Sequence, residues 1–420
     1  MPDDHRPNKK IVKRKTKPMA EPAKAKDCAI KEICGACKYI NDEYQPSLND
    51  KFNAGLRLLE EHEVLESTHV IPPPPSERAL GYRTHAKLAV RARDKAAYAP
   101  DEYRFTIGLF KPETHQVVDI STCPLHKPNI NALIADLKIE LESSEISPYD
   151  EESNSGDLRY LAIRSSHITD ELMLTFVATN DLHKIELRNI IGRLKSKGHQ
   201  IQSAYLNIND KVTNVIFGDS SRRITGSDRL RESLCNISFE VGPTSFFQVN
   251  PWEAERIYRR IEQLTGYDGQ QEVAWDLYCG VGQISMVLSR AGYRVLGVEM
   301  NPQSIRDAQK NANRNLKGNL PHFVTGKVED VKDFLPTWSQ EPSLIITNPA
   351  RKGLDASVRS FIKSTLGKNP RCELLYVSCA VETLARDLKD ITSSHIKLRQ
   401  LEAFDMFPYT DKMEWLAIVK

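Results

Sequence analysis

From about residue 242 the chain alternates short apolar runs with helical ones, and this rhythm limits the fold more than any other feature. "VAWDLYCG" reads as a strand and "ISMVLSRAG" as a helix. "RVLGVEM" is strand-like again and "NPQSIRDAQKNANRNL" helical. "SLIITNPA", "ELLYVSCA" and "EWLAIVK" supply further strands. Such alternation covers both faces of a mostly parallel sheet with helices. A doubly wound α/β domain is expected, with its ligand at the carboxyl ends of the strands.

The upstream half has a different texture. "SLNDKFNAGLRLLEEHEVL" has helical apolar spacing, and "VIPPPPSE" reads as a stiff linker. Residues 82 to about 240 read mainly as β, in runs such as "THAKLAVRAR", "TIGLFKP", "LRYLAIRSS" and "ELMLTFVAT". Helices are expected near "INALIADLKIEL" and over 183–197. A chain of 420 residues exceeds one simple core. Three segments are therefore expected: a basic tail over 1–27, a cysteine-bearing segment with a central β-rich domain over 28–241, and the α/β domain over 242–420.

The net charge of +2 hides an asymmetry. Residues 1–27 hold nine Lys/Arg against four Asp/Glu, so that a disordered arm is expected there. Such an arm either solubilises the chain or attracts phosphate backbones. There is no apolar leader and no apolar run of membrane-spanning length, so a cytoplasmic location is expected.

"DLYCGVGQ" joins a strand to a Gly-x-Gly turn, which lets backbone approach a ligand closely. One strand later Glu299 ends "RVLGVE", where a carboxylate meets ribose hydroxyls. Ser285 stands where a dinucleotide loop would place its third glycine. S-adenosylmethionine therefore fits this site better than NAD. A ligand-free tight turn is the plainer alternative.

The eight cysteines are 28, 34, 37, 123, 235, 279, 372 and 379. Cys28, Cys34 and Cys37 lie within ten residues, and Cys123 precedes Pro124. Four thiolates suit either a structural zinc or a [4Fe–4S] cluster. Zinc sites usually pair two C-x2-C knuckles, and only one is present, so spacing favours the cluster. Cys279 fits simple packing inside the glycine turn. Cys379 ends the strand "LLYVSCA", and Glu414 opens "EWLAIV". A thiolate, a carboxylate and a methyl donor suit methylation of uracil at carbon 5. That carbon becomes nucleophilic only after a thiolate adds at carbon 6, and a base must then remove its proton.

With these residues in view, the sequence resembles the RNA (uracil-5-)-methyltransferases that carry an iron–sulfur cluster. The resemblance runs from Cys28 to the C-terminus through "CAIKEICGACKYI", "CPLH", "SFFQVNP", "DLYCGVGQ", "NPARKGL", "VSCAVETLARD" and "DMFPYTDKMEW". It implies a Rossmann-like S-adenosylmethionine-dependent domain, a central β domain that binds RNA, and a cluster held by Cys28, Cys34, Cys37 and Cys123. It also implies Cys379 as nucleophile and Glu414 as base. Gln248, Tyr278, Gln283, Glu299 and Asn348 would lie at the cofactor, and the chain would be a monomer.

Most of that family has Asp-Pro-Pro-Arg where this chain has Asn348, Pro349, Ala350 and Arg351. Asparagine there, and the short segment before Cys28, resemble the branch acting on a hairpin loop of 23S rRNA without an OB-like domain. Ala380 stands for a usual Asn beside the nucleophile, and Tyr409 for a usual His. Phe246 and Phe247 are candidates to stack on a base flipped from a loop, or are core. Three other readings stay open: the same reaction on the tRNA T-loop, a non-catalytic RNA-binding module with a structural metal, and an exocyclic-amine methylase. The last lacks the aromatic residue usually found after Asn-Pro.

Overall fold

The computed structural model describes residues 28–93, 104–266, 272–331 and 341–420; the basic tail expected over 1–27 lies outside them. In chain order the strands are β1 (His69–Ile71), β2 (His85–Ala92), β3 (Phe105–Phe110), β4 (Val117–Asp119), β5 (Leu158–Ser165), β6 (Leu172–Ala178), β7 (Ile201–Ile208), β8 (Ser220–Gly226), β9 (Leu230–Leu234), β10 (Ile237–Val241), β11 (Val273–Leu277), β12 (Arg294–Glu299), β13 (His322–Thr325), β14 (Leu344–Thr347), β15 (Glu373–Ser378), β16 (Leu398–Phe404) and β17 (Glu414–Val419).

The α/β expectation holds. β11 to β17 form a sheet in the order β16-β17-β15-β14-β11-β12-β13. Strands β11 to β15 run parallel, while β17 is inserted antiparallel between β15 and β16. Both faces of the sheet are covered. Trp275, Ile345, Tyr376 and Leu401 belong to one apolar core, and Ala274, Ile346, Val377 and Leu416 to another. This is why the strands read as continuous apolar runs instead of alternating ones.

The packing does not divide at residue 242. The helix Tyr44–Glu61 lies on the C-terminal sheet, where Phe52 stacks on Trp415 with centroids 5.8 Å apart. A Cβ on Gly55 would meet Trp415 Cζ2 at 2.4 Å, so glycine is needed there despite its helix penalty of about 1 kcal/mol. The stretch read as a stiff linker begins with β1, which pairs parallel with β16 and makes the sheet eight-stranded. The β9–β10 hairpin contributes Leu234, Ile237, Phe239 and Val241 to the core around Ile257 and Val287. The expected 28–241 unit thus reduces to a central domain, and its flanks pack with the α/β domain.

That central domain is a seven-stranded sheet in the order β4-β3-β2-β5-β6-β7-β8. The helices Pro128–Glu142 and Lys184–Ser196 pack on it as anticipated, through Leu133, Leu137, Ile190 and Leu194. No helix among the described residues is long and apolar enough to cross a membrane.

Candidate active site

The ends of β11, β12, β14, β15 and β17 meet around the candidate site. At β11 the chain turns through Tyr278, which has φ +66°, a left-handed conformation uncommon for an aromatic residue. Burial pushes its hydroxyl upward, and the oxygen is buried without a hydrogen-bond partner. Gly282 has φ +79°, and a Cβ there would lie 2.8 Å from Phe323 Cζ. A Cβ on Gly280 would instead point into open space, so this side of the turn stays accessible. Cys279 is buried and packs 3.0 Å from where a Gly297 side chain would begin, in keeping with a packing role.

Glu299 ends β12. Its Oε2 accepts from the Gly280 N–H at 3.3 Å and its Oε1 from the Asn301 N–H at 2.8 Å. Asp276 is buried one strand away, and burial pushes its carboxyl up to about 7, against hydrogen bonding from Ser285. Beside Asn301 and Gln303 a cleft of about 1080 Å³ opens between the β7–β8 side of the central domain and the helix Pro302–Asn315.

Gln248 and Gln283 are distant in sequence, and Tyr258 joins them. Gln248 Nε2 donates to the Tyr258 hydroxyl at 3.3 Å, which donates to Gln283 Oε1 at 2.9 Å. Gln283 Nε2 is buried with no partner, as is Thr347 Oγ1 at the end of β14, next to Asn348. Tyr258 was not singled out from the sequence. It lies between buried Ile257 and Ile261 on the helix Pro251–Leu264 and reads as core there.

Three orphaned polar atoms, on Tyr278, Gln283 and Thr347, together with an accessible glycine turn and the Glu299 carboxylate, fit a polar nucleoside-bearing ligand. A buried polar atom left unpaired costs about 1–3 kcal/mol, which a bound partner recovers.

The other half of the site is antiparallel. Ser378 pairs with Trp415, so the next position places Cys379 across from Glu414. Burial pushes the Cys379 thiol up, and the Glu414 charge adds to this. The charge and hydrogen bonding of Arg351 oppose it. Glu414 is 5% exposed, and burial pushes its carboxyl up to about 8, again opposed by Arg351. Arg351 is thus the cation of both groups. Its sequence signal was the basic turn after Asn348, to which no role was attached.

The phenylalanines separate. Phe247 is 1% exposed and packs edge-on against Phe239, so it is core. Phe246 is 63% exposed and available to stack. Tyr409 is buried against Tyr44, with ring centroids 5.3 Å apart. Ala380 occupies the N-cap of the helix Val381–Ile391 and offers no side-chain cap.

Cys28, Cys34, Cys37 and Cys123 are all half-exposed and unbridged. Burial raises the Cys37 thiol to about 12, with the charges of Cys123, Cys34 and Cys28 adding, so the four thiols are neighbours. Among the described residues no three His, Cys, Asp or Glu side chains approach closely enough to hold a metal ion.

The family model described as tRNA (uracil-5-)-methyltransferase matches residues 79–419. The chain belongs to this family. An RNA methyltransferase of Geobacter sulfurreducens, itself uncharacterized, is 32% identical, with 93% of this chain and 76% of that protein aligned. An uncharacterized RNA methyltransferase of Bacillus cereus is 30% identical over 94% of this chain and 82% of its own. Among solved structures, the tRNA (uracil-54, C5)-methyltransferase of Pyrococcus abyssi, in complex with S-adenosyl-L-homocysteine, superposes with a TM-score of 0.72. It is 26% identical, and the match covers 92% of this chain and 85% of that one. Membership of a uracil-5-methyltransferase family gives the Cys379–Glu414 pair a reaction to be tested against.

Proposed function

We propose that this enzyme methylates carbon 5 of a uridine in RNA, using S-adenosylmethionine. The observation that carries the reading is the juxtaposition of Cys379 and Glu414 across β15 and β17, beside Arg351. S-adenosylmethionine supplies the electrophilic methyl group. Glu299 would accept from the ribose hydroxyls, and Tyr278, Gln283 and Thr347 would pair their orphaned atoms with the cofactor. Gln248 would act through the Tyr258 chain, and Asn348 would sit between cofactor and base.

The Cys379 thiolate adds to carbon 6, and the ring electrons move towards carbon 5. Carbon 5 would take the methyl group as its bond to the donor sulfur breaks, leaving S-adenosylhomocysteine. Glu414 then removes the carbon-5 proton, the double bond re-forms and the thiolate departs. Arg351 favours the charged forms of both groups against burial. Phe246 would stack on an extruded base.

The target favoured by Asn348 is a hairpin loop of 23S rRNA. The T-loop of tRNA is the second reading, supported by the likeness to the Pyrococcus enzyme. Cys28, Cys34, Cys37 and Cys123 would hold a [4Fe–4S] cluster rather than zinc, because only one C-x2-C pair is present where zinc sites usually have two. Its role would be structural, since methyl transfer moves no electrons between redox centres.

The deciding experiment incubates the enzyme and S-adenosylmethionine with 5-fluorouridine-containing 23S hairpin or tRNA T-arm transcripts. Fluorine cannot leave as a proton, so a covalent adduct is expected with one of them. No adduct, or an adduct that survives Cys379→Ala, overturns the mechanism. Iron and sulfide analysis of anaerobically purified protein tests the cluster, and a zinc-only result rejects it.

A further inference from the structure

Among the described residues, no side-chain hydrogen bond reaches the Glu414 carboxylate. Apart from the charge of Arg351, its position is therefore set by its backbone, at the first residue of β17. The preceding loop, 405–413, has one internal turn, in which the Thr410 N–H and hydroxyl donate to Phe407 O and the Lys412 N–H donates to the Thr410 hydroxyl, and it is otherwise held from outside.

One side chain holds both of its ends. Lys51 Nζ, on the helix Tyr44–Glu61, contacts the Asp405 carboxylate and donates to Phe407 O at 3.0 Å and Lys412 O at 3.1 Å. An ammonium has three N–H groups, so all are used. Asp405 Oδ2 accepts from the Tyr44 hydroxyl at 2.7 Å, whose oxygen accepts from the Ser76 N–H at 2.8 Å. Asn250 Nδ2 donates to Met406 O, the Tyr82 hydroxyl to Pro408 O and the Tyr39 N–H to Tyr409 O.

The side chains of Lys51 and Asp405 are 2% and 0% exposed. A buried ion pair is poor value for stability alone, because apolar residues of similar size often do as well. An apolar residue could not bind two carbonyls at opposite ends of one loop. We infer that Lys51 is a positioning residue for Glu414. It draws the 405–413 loop closed so that the carboxylate stays within reach of the carbon-5 proton.

This inference rests on the uracil-5 reading, and the test separates the two. Lys51→Met alone would leave Asp405 charged and buried, so the main variant is Lys51→Met/Asp405→Asn. Tyr44→Phe, which leaves the Lys51 contacts in place, controls for loss of stability. Two rates are compared at saturating S-adenosylmethionine. Adduct formation on 5-fluorouridine RNA needs the thiolate and methyl transfer but not the base. Tritium release from 5-tritiated uridine RNA needs the base as well.

The double variant should form adduct within about twofold of the wild-type rate and release tritium at least about tenfold more slowly, with KM for RNA little changed and covalent RNA–protein complex accumulating. Tyr44→Phe should keep the wild-type ratio of the two rates. A folded double variant with wild-type tritium release, or with both rates lowered in proportion, overturns the positioning role. Failure of the wild-type enzyme to form adduct instead overturns the proposed reaction.

Discussion

The two halves of the candidate site are built in opposite ways. In the parallel half, Tyr278, Gln283 and Glu299 lie within one strand-turn-helix-strand unit, and two of their polar atoms are unpaired. In the antiparallel half, Cys379 and Glu414 come from strands separated by a helix and β16; burial raises both groups, and the Glu414 charge raises the Cys379 thiol further. Unpaired polar atoms suit a ligand that binds and leaves. Carboxyls and thiols held away from their ordinary ionisation suit groups that exchange protons.

The sharpest break of this comparison is chemical. Cys379→Ala should lower methylation by on the order of 10⁴-fold or more, while leaving affinity for S-adenosylhomocysteine within about twofold, as read by calorimetry. Glu414→Gln should slow product formation by about 10²–10⁴-fold and let the covalent complex accumulate on denaturing gels. An equal loss of cofactor binding in either variant would merge the two halves.

The carboxylate also predicts a pH dependence. Glu414 must be ionised to take a proton, and its carboxyl is pushed up to about 8. Turnover should rise as pH increases through about 8, with the Cys379 thiolate adding to the trend. For stability the sign is opposite. The neutral acid is favoured in the folded chain, so its contribution is complete below the ordinary carboxyl range and lost as pH rises through about 8. Glu414→Gln should therefore raise Tm more at pH 9 than at pH 4.

Smaller effects are expected at one position in each half. Tyr258→Phe removes the link between Gln248 and Gln283, and should weaken cofactor binding by roughly three- to tenfold without changing the pH profile. The mildest case is Ala380→Asn, which supplies the missing N-cap and should stabilise the enzyme by about 1 kcal/mol in thermal unfolding. Altered target choice in that variant would place Ala380 in substrate selection.

The same contrast separates what the sequence discloses from what it hides. The doubly wound sheet was legible because its strands are continuous apolar runs, and "DLYCGVGQ" and Glu299 were legible because local spacing places them at strand ends. The antiparallel insertion of β17 is a register between distant segments, so the sequence offered Glu414 as a carboxylate opening a strand but not its place opposite Cys379. Tyr258 and Lys51 were invisible for a shared reason. On amphipathic helices, one reads as core and the other as a solvated face. β1 was missed because three residues before a proline run carry almost no periodic signal.

The pairing of β1 with β16 also sets an order of events during synthesis. His69 finds its partner Gln400 only after some 330 more residues have been made, roughly 15–65 s at ordinary elongation rates. Until then the apolar face of the helix Tyr44–Glu61 has no Trp415 to cover it. The nascent chain must carry that surface without its Trp415 partner while its central domain is completed.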